Sequence, residues 1–129
     1  MREIKFRAFV DKNIIEGYPA SIYPVENICW REGELVAINL KPCEWIDSKW
    51  VILMQYTSLV DEDGKEIYEG DLLKYADSPI YTVSFSNGEF IMVGKSINGS
   101  FQRSLREDIT HFMKVIGNIY ENKELLSAI

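Results

Sequence analysis

The sequence predicts a mainly antiparallel β fold, and three observations carry that prediction. The dipeptides Asp63-Gly64, Asn87-Gly88 and Asn98-Gly99 punctuate the second half of the chain, and such pairs accept the positive φ that type I′ hairpin turns demand. Apolar and polar residues alternate with a period of two around the middle dipeptide. Segments with a 3.6-residue period are confined to short pieces, which leaves little room for helices.

Taken in order, Ile4, Phe6 and Ala8 alternate with Lys5 and Arg7 and predict a half-buried first strand. The spacing from Asp11 to Asn27 is irregular. Leu35 to Leu40, between Gly33 and Pro42, has the length and composition of a strand, and the nearly all-apolar run from Trp50 to Tyr56 reads as a central one. Leu72 to Tyr75 follows. Tyr81, Val83 and Phe85 then alternate with Thr82 and Ser84, and Glu89 to Val93 returns after Asn87-Gly88 as the second arm of a hairpin. Lys114 to Tyr120 is the last predicted strand. Short helices are expected at Leu105 to Phe112 and in the tail from Asn122 to Ala128, where Asn122 would cap and Leu125 and Leu126 would fold back on the sheet. All three tryptophans, both cysteines and three of the four prolines precede Tyr56. The expected organisation is one domain over residues 1–129: a β-rich layer of residues 1–56 completing a small SH3-like barrel of residues 57–121, with a tail of residues 122–129.

Size and charge bound the function. For 129 residues, area scaling gives a folded surface of roughly 7,000 Å² against about 21,600 Å² unfolded, so a core forms without metal or disulfide staples. The longest apolar run, Val51 to Met54, is far short of the ~20 residues that span a bilayer. The start of the chain lacks the uninterrupted apolar stretch of a secretory signal, and Cys29 and Cys43 are too few for a disulfide framework. The expected location is the cytoplasm, with no membrane association. A net charge of −6 argues against a general phosphate-backbone binder, whose affinity comes from a basic surface.

Residues 57–75 carry six carboxylates against two lysines, a local charge of −4. Read as a calcium loop with Gly64 at the sixth position, Asp61 and Asp63 fit the third and fifth. Leu59 and Gly70 then stand where the first and twelfth ligands belong, so the motif fails. Asp61, Asp63, Glu66, Glu69 and Asp71 remain candidates for an interaction surface, the plainer reading being a solvated turn. A carboxylate pair assembled across strands would suit acid–base chemistry. His111 is the only histidine, and neither cysteine stands in a motif that would pair with it. Two cysteines 14 residues apart and one distant histidine make no zinc spacing, and the glycines stand singly in turns rather than in a phosphate loop. No catalytic, cofactor or metal residue is therefore expected, and the chain reads as a non-enzyme.

Nucleic-acid binding is the alternative. Small barrels bind single strands through aromatic platforms and basic grooves. Trp30, Trp45, Trp50 and Tyr56 would serve for stacking, and Arg2, Lys5, Arg7, Lys95, Arg103 and Arg106 for charge if they gather on one side. Against it, tryptophans in a small β-domain ordinarily go to the core.

Three blocks carry a family resemblance: the opening Arg2-Glu3-Ile4-Lys5-Phe6-Arg7-Ala8; the middle, Met54 to Leu59 followed by Asp63 to Asp71; and the ending Val115-Ile116-Gly117-Asn118-Ile119-Tyr120-Glu121-Asn122. Together they resemble the YopX family of bacteriophage and prophage proteins, with Ser58 where glycine is expected and Phe9 where tryptophan is. The resemblance implies a β-rich, barrel-like fold, phage origin and cytoplasmic residence, and it supplies no catalytic residues. Within the middle block, Glu69-Gly70-Asp71 ahead of Leu72 to Tyr75 resembles a strand start in SH3-like barrels, where the glycine permits a tight turn and the aspartate bonds nearby amides. The expectation is a phage-encoded accessory protein that contacts a protein partner or itself, as a homo-oligomer, through exposed sheet edges. A nucleic-acid-binding barrel comes second and an enzyme using cross-strand carboxylates third.

Overall fold

Every strand pairing in the computed structural model is antiparallel, over described residues 4–10, 21–41, 44–96 and 98–127. Arg2 and the irregular stretch 11–20 lie outside them. The chain divides between Gln55 and Tyr56 into two units.

In the unit of residues 4–55, β1 (Phe6–Val10) lies between β2 (Ser21–Pro24) and the first half of β6 (Val51–Val60). Ala8, Phe9 and Val10 are all buried, so β1 is covered on both faces rather than half-buried, and Ile4 lies outside the strand, exposed. A second ladder joins β3 (Asn27–Arg31), β4 (Glu34–Lys41) and β5 (Glu44–Asp47). Ile28, Ile38 and Ile46 stand opposite one another across its three strands, and β-branched side chains in such a row stabilise a sheet. They pack with Ala8, Val10, Leu40 and Val51 into one core. Ser21–Pro24 is thus a strand within the stretch whose sequence looks irregular. The β3–β4 hairpin turns at Glu32-Gly33, where both residues have positive φ, 54° and 82°.

Trp30 and Trp45 are each 54% exposed, and Trp50 is partly so. This corrects the expectation that the tryptophans enter the core. Trp45 faces Asn39 across the ladder, one residue out of phase with the Ile38–Ile46 pair, and alternation sends successive side chains to opposite faces.

In the unit from Tyr56 on, the second half of β6 pairs with β7 (Glu66–Tyr68). A five-stranded sheet follows in the order β11 (Gly99–Ser104), β10 (Glu89–Ser96), β9 (Tyr81–Ser86), β8 (Asp71–Lys74), β12 (Lys114–Asn118). Asn87 and Gly88 have φ of 50° and 81°, the pair of left-handed residues a type I′ turn needs. At Asp63-Gly64 and Asn98-Gly99 only the glycine is left-handed, so these turns differ from the I′ expectation. The expected Leu105–Phe112 helix is a single turn, α1 (Glu107–Thr110), whose segment inserts Leu105, Ile109 and Met113 against the core of Ile67, Leu73, Tyr81, Val83, Phe90, Met92 and Val115. The last strand ends at Asn118, and a short helix, α2 (Lys123–Ser127), closes the described chain. Asn122 does not cap it: its Oδ1 accepts the upstream N–H of Asn118 at 3.1 Å.

Candidate interaction groove

The acidic segment is an internal brace more than a surface. Asp61 is only 3% exposed. Its Oδ1 accepts the N–H groups of Asp63 and Lys65, each at 2.9 Å, and its Oδ2 accepts the N–H of Val115 at 3.0 Å. Burial alone would push its carboxyl up, but the three N–H donors and the Lys65 ammonium outweigh that and hold it below the ordinary carboxylate range. Asp71 is 1% exposed, and its Oδ2 accepts the N–H of Tyr68 at 2.8 Å across the turn that Gly70, with φ of 90°, makes possible. Asp61 and Asp71 are therefore withdrawn from the interaction surface expected of them, because backbone amides occupy their oxygens. Asp63 is exposed and meets the Lys114 ammonium at 3.6 Å, Glu66 accepts the Tyr68 hydroxyl at 3.2 Å, and Glu69 is half-buried. Burial, and then the Glu69 charge, push the Tyr120 hydroxyl up.

Within the unit from Tyr56 on, Lys95 and Arg103 do not share a side. Arg103 stands opposite Met92, whereas Lys95 stands opposite Ser100, so alternation puts the two charges on opposite faces of the β10–β11 ladder. The Arg106 guanidinium meets the Asp108 carboxylate at 3.4 Å. Lys5 and Arg7 belong to the other unit, where Arg7 Nη2 donates to the Met54 sulfur at 3.8 Å. Of the stacking candidates, Tyr56 is buried against Tyr68, with ring centroids 5.3 Å apart. His111 is exposed, 3.8 Å from the Glu107 carboxylate, and Cys29 is half-buried. Cys43 lies outside the described residues. Among the described residues, no three His, Cys, Asp or Glu side chains stand together as metal ligands, and no helix is long and apolar enough to cross a membrane.

What the fold does assemble is an apolar groove that the sequence reading missed. A space of about 290 Å³ opens at one end of the core face, floored by Tyr81, Met92 and Met113 and bordered by Tyr75, Phe112, Arg103 and Asp108. Tyr75 is 51% and Phe112 65% exposed, which is unusual for aromatics beside a core. Each is placed by a local device. The Tyr75–Ser78 turn is closed by the Ser78 N–H to the Tyr75 carbonyl at 2.7 Å and by the Tyr75 N–H to the Ser78 hydroxyl at 2.9 Å. Phe112 follows α1, its N–H bonded to the Ile109 carbonyl at 3.1 Å. Tyr81 is set edge-on to Phe101, with centroids 5.8 Å apart, and both rings lie against Gly94, where a Cβ would sit 2.8 Å from Phe101 Cζ. Among the described residues Arg103 makes no ion pair, and it is exposed at the groove's rim, where a guanidinium has five donors to offer. The arrangement offers an aromatic and thioether slot for an apolar group, with a guanidinium beside it for an anion.

A small antiparallel β-module with an aromatic-rimmed groove is the class of protein these features define. The chain belongs to the YopX family, whose pattern, described as YopX protein, matches residues 5–127. Among solved structures it is similar in fold to protein EF1440 from Enterococcus faecalis, with a TM-score of 0.54 and 24% identity over 98% of this chain and 99% of that one. No curated protein matches the chain.

Proposed function

We propose that this YopX-family chain is a non-enzymatic interaction module, encoded by a bacteriophage or prophage, that acts in the cytoplasm by docking a protein partner in the groove of Tyr75, Tyr81, Met92, Phe112 and Met113. The observation that carries the reading is the exposure of Tyr75 and Phe112 over an apolar floor. Aromatic side chains supply large contact area at low entropic cost, and methionines adapt to irregular partners. The neighbouring Arg103 favours a partner segment that presents a carboxylate next to an apolar or aromatic anchor.

The test is affinity capture of tagged protein from host lysate, split into nuclease-treated and untreated halves and run in parallel with Phe112→Ser and Arg103→Glu variants. Phe112 is so exposed that its replacement leaves the fold intact, with stability within about 0.5 kcal/mol. A retained partner that both variants lose supports the reading. Capture that the variants leave untouched, or that disappears with nuclease, overturns it, the latter in favour of nucleic acid.

A further inference from the structure

The five-stranded sheet has two outer strands, and the fold treats them differently. On β12, the Val115 N–H is taken by Asp61 Oδ2 and the neighbouring Met113 carbonyl by the Glu62 N–H. β11 has no such cover: all of its side chains except Phe101 are exposed, and among the described residues it pairs with β10 alone.

Which of its backbone groups are spare follows from the ladder. The Leu105 N–H donates to the Phe90 carbonyl at 3.0 Å, which makes Phe90–Leu105 a hydrogen-bonded pair. In an antiparallel ladder such pairs alternate with non-bonded ones. Met92–Arg103, Gly94–Phe101 and Ser96–Gly99 are therefore bonded, while Ile91–Ser104, Val93–Gln102 and Lys95–Ser100 are not. The N–H and C=O groups of Ser100, Gln102 and Ser104 accordingly point away from the sheet.

We propose that β11 is a self-association edge, where two copies of this chain pair antiparallel about Gln102 and extend the sheet across a two-fold axis. The register is specific. Gln102 meets the second copy's Gln102, and Ser100 meets its Ser104, so all three outward residues find outward partners. Phe101 then faces the second copy's Arg103 on the groove side, an arrangement suited to cation–π contact. Arg103 is the only charge in the strand, and this register opposes it to a ring. Centring the pair on residue 103 instead would set guanidinium against guanidinium, and centring it on residue 101 would lose one of the bonded pairs. A covered edge also answers the aggregation hazard of an open one. The proposal shares Arg103 with the groove, so it is tested at residue 102, which does not line the groove.

The experiment combines light scattering across a concentration series with two substitutions at residue 102. Wild-type protein is expected to approach twice 14.9 kDa as concentration rises. Gln102→Pro removes an N–H that β10 does not use, a change edge strands tolerate, and is expected to weaken the dimer about tenfold or more, which corresponds to a loss of at least ~1.4 kcal/mol, with the melting temperature of the monomer kept. On a Cys29→Ser, Cys43→Ser background, Gln102→Cys is expected to oxidise to a covalent dimer, because bonded pairs place Cα atoms about 5.5 Å apart. Ser100→Cys alone is expected not to, since it faces Ser104. A wild-type mass that stays monomeric throughout overturns the proposal. So does a dimer whose Gln102→Cys form resists oxidation or one that survives Gln102→Pro. Should the proline variant fail to fold, the cysteine pair decides.

Discussion

Asp61→Asn is the substitution that most directly probes how the C-terminal unit is held. The carboxylate joins its own turn, through the N–H groups of Asp63 and Lys65, to a strand 54 residues away, through Val115. An asparagine side chain retains one oxygen for the local pair but presents an amide N–H₂ to the Val115 N–H, so donor faces donor. Losing one bond to a charged acceptor costs about 1.5–3 kcal/mol, and leaving a buried N–H unmet costs about 1–3 kcal/mol. These overlap for the same group, and the two surviving bonds weaken without the charge, so about 3 kcal/mol is expected. The measurement is denaturant unfolding followed by far-UV circular dichroism. Tryptophan fluorescence would mislead, because Trp30, Trp45 and Trp50 all lie in the other unit. The effect should also depend on pH. The unfolded chain takes up a proton at this site more readily than the folded one, since the folded carboxyl is held below its ordinary value of 3.8. Ionised Asp61 thus stabilises the fold fully above that value, and its contribution is lost as pH falls through the lower folded value. The gap between wild type and variant should be wide at neutral pH and narrow in strong acid. A loss below about 1 kcal/mol at neutral pH, or a gap indifferent to acid, would refute the brace.

Three further substitutions test local geometry. Ser58 sits in β6 with φ of 72°, which costs a residue with a Cβ about 1–2 kcal/mol; Ser58→Gly should raise stability by about 0.5–1 kcal/mol after the added unfolded-state entropy, read as a higher melting temperature. At Gly117, where φ is 156°, an added Cβ would clash with Asn122 Oδ1 and sit 2.7 Å from its Cγ; Gly117→Ala should cost about 1–3 kcal/mol and free the Asn118 N–H, visible as faster amide exchange at that residue. Gly94→Val should push Phe101 and Tyr81 off the sheet at a cost of about 1–3 kcal/mol, with the loss of their ring-current shifts as the signature.

The turns show where local sequence suffices and where it does not. Asn87-Gly88 is legible because both residue types tolerate the left-handed region the turn requires, so the hairpin follows from two letters. Glu32-Gly33 has the same backbone conformation, yet glutamate gives no such signal, and the hairpin it closes went unread. Ser58 is the intermediate case. A glycine expected there from the family resemblance has a physical reason, since Thr57, Ser58 and Leu59 form an irregularity in β6. It is held by the Thr57 hydroxyl, which donates to the Ile67 carbonyl at 2.7 Å and accepts the Leu59 N–H at 3.2 Å. Those bonds fix the backbone on both sides of Ser58, and local composition records nothing of them.

Side chains whose meaning depends on distant partners were legible only as types. Six carboxylates between residues 57 and 75 look like a solvated patch when counted along the chain, because counting cannot tell which oxygens meet an amide; Val115 supplies the decisive one to Asp61 from another strand. The groove is a stronger instance. Tyr75, Met92, Arg103 and Phe112 come from a turn, two strands and a helix end, and none stands in a motif. Met92 and Arg103 share a face only because the β10–β11 register sets them opposite each other, and a one-residue slip of β11 would send the Arg103 side chain to the other side. The same register separates Lys95 from Arg103 and spares the backbone groups of Ser100, Gln102 and Ser104. The parting of Lys95 from Arg103 and the pairing pattern of the open edge thus both follow from one register, which becomes visible only when the strands are aligned.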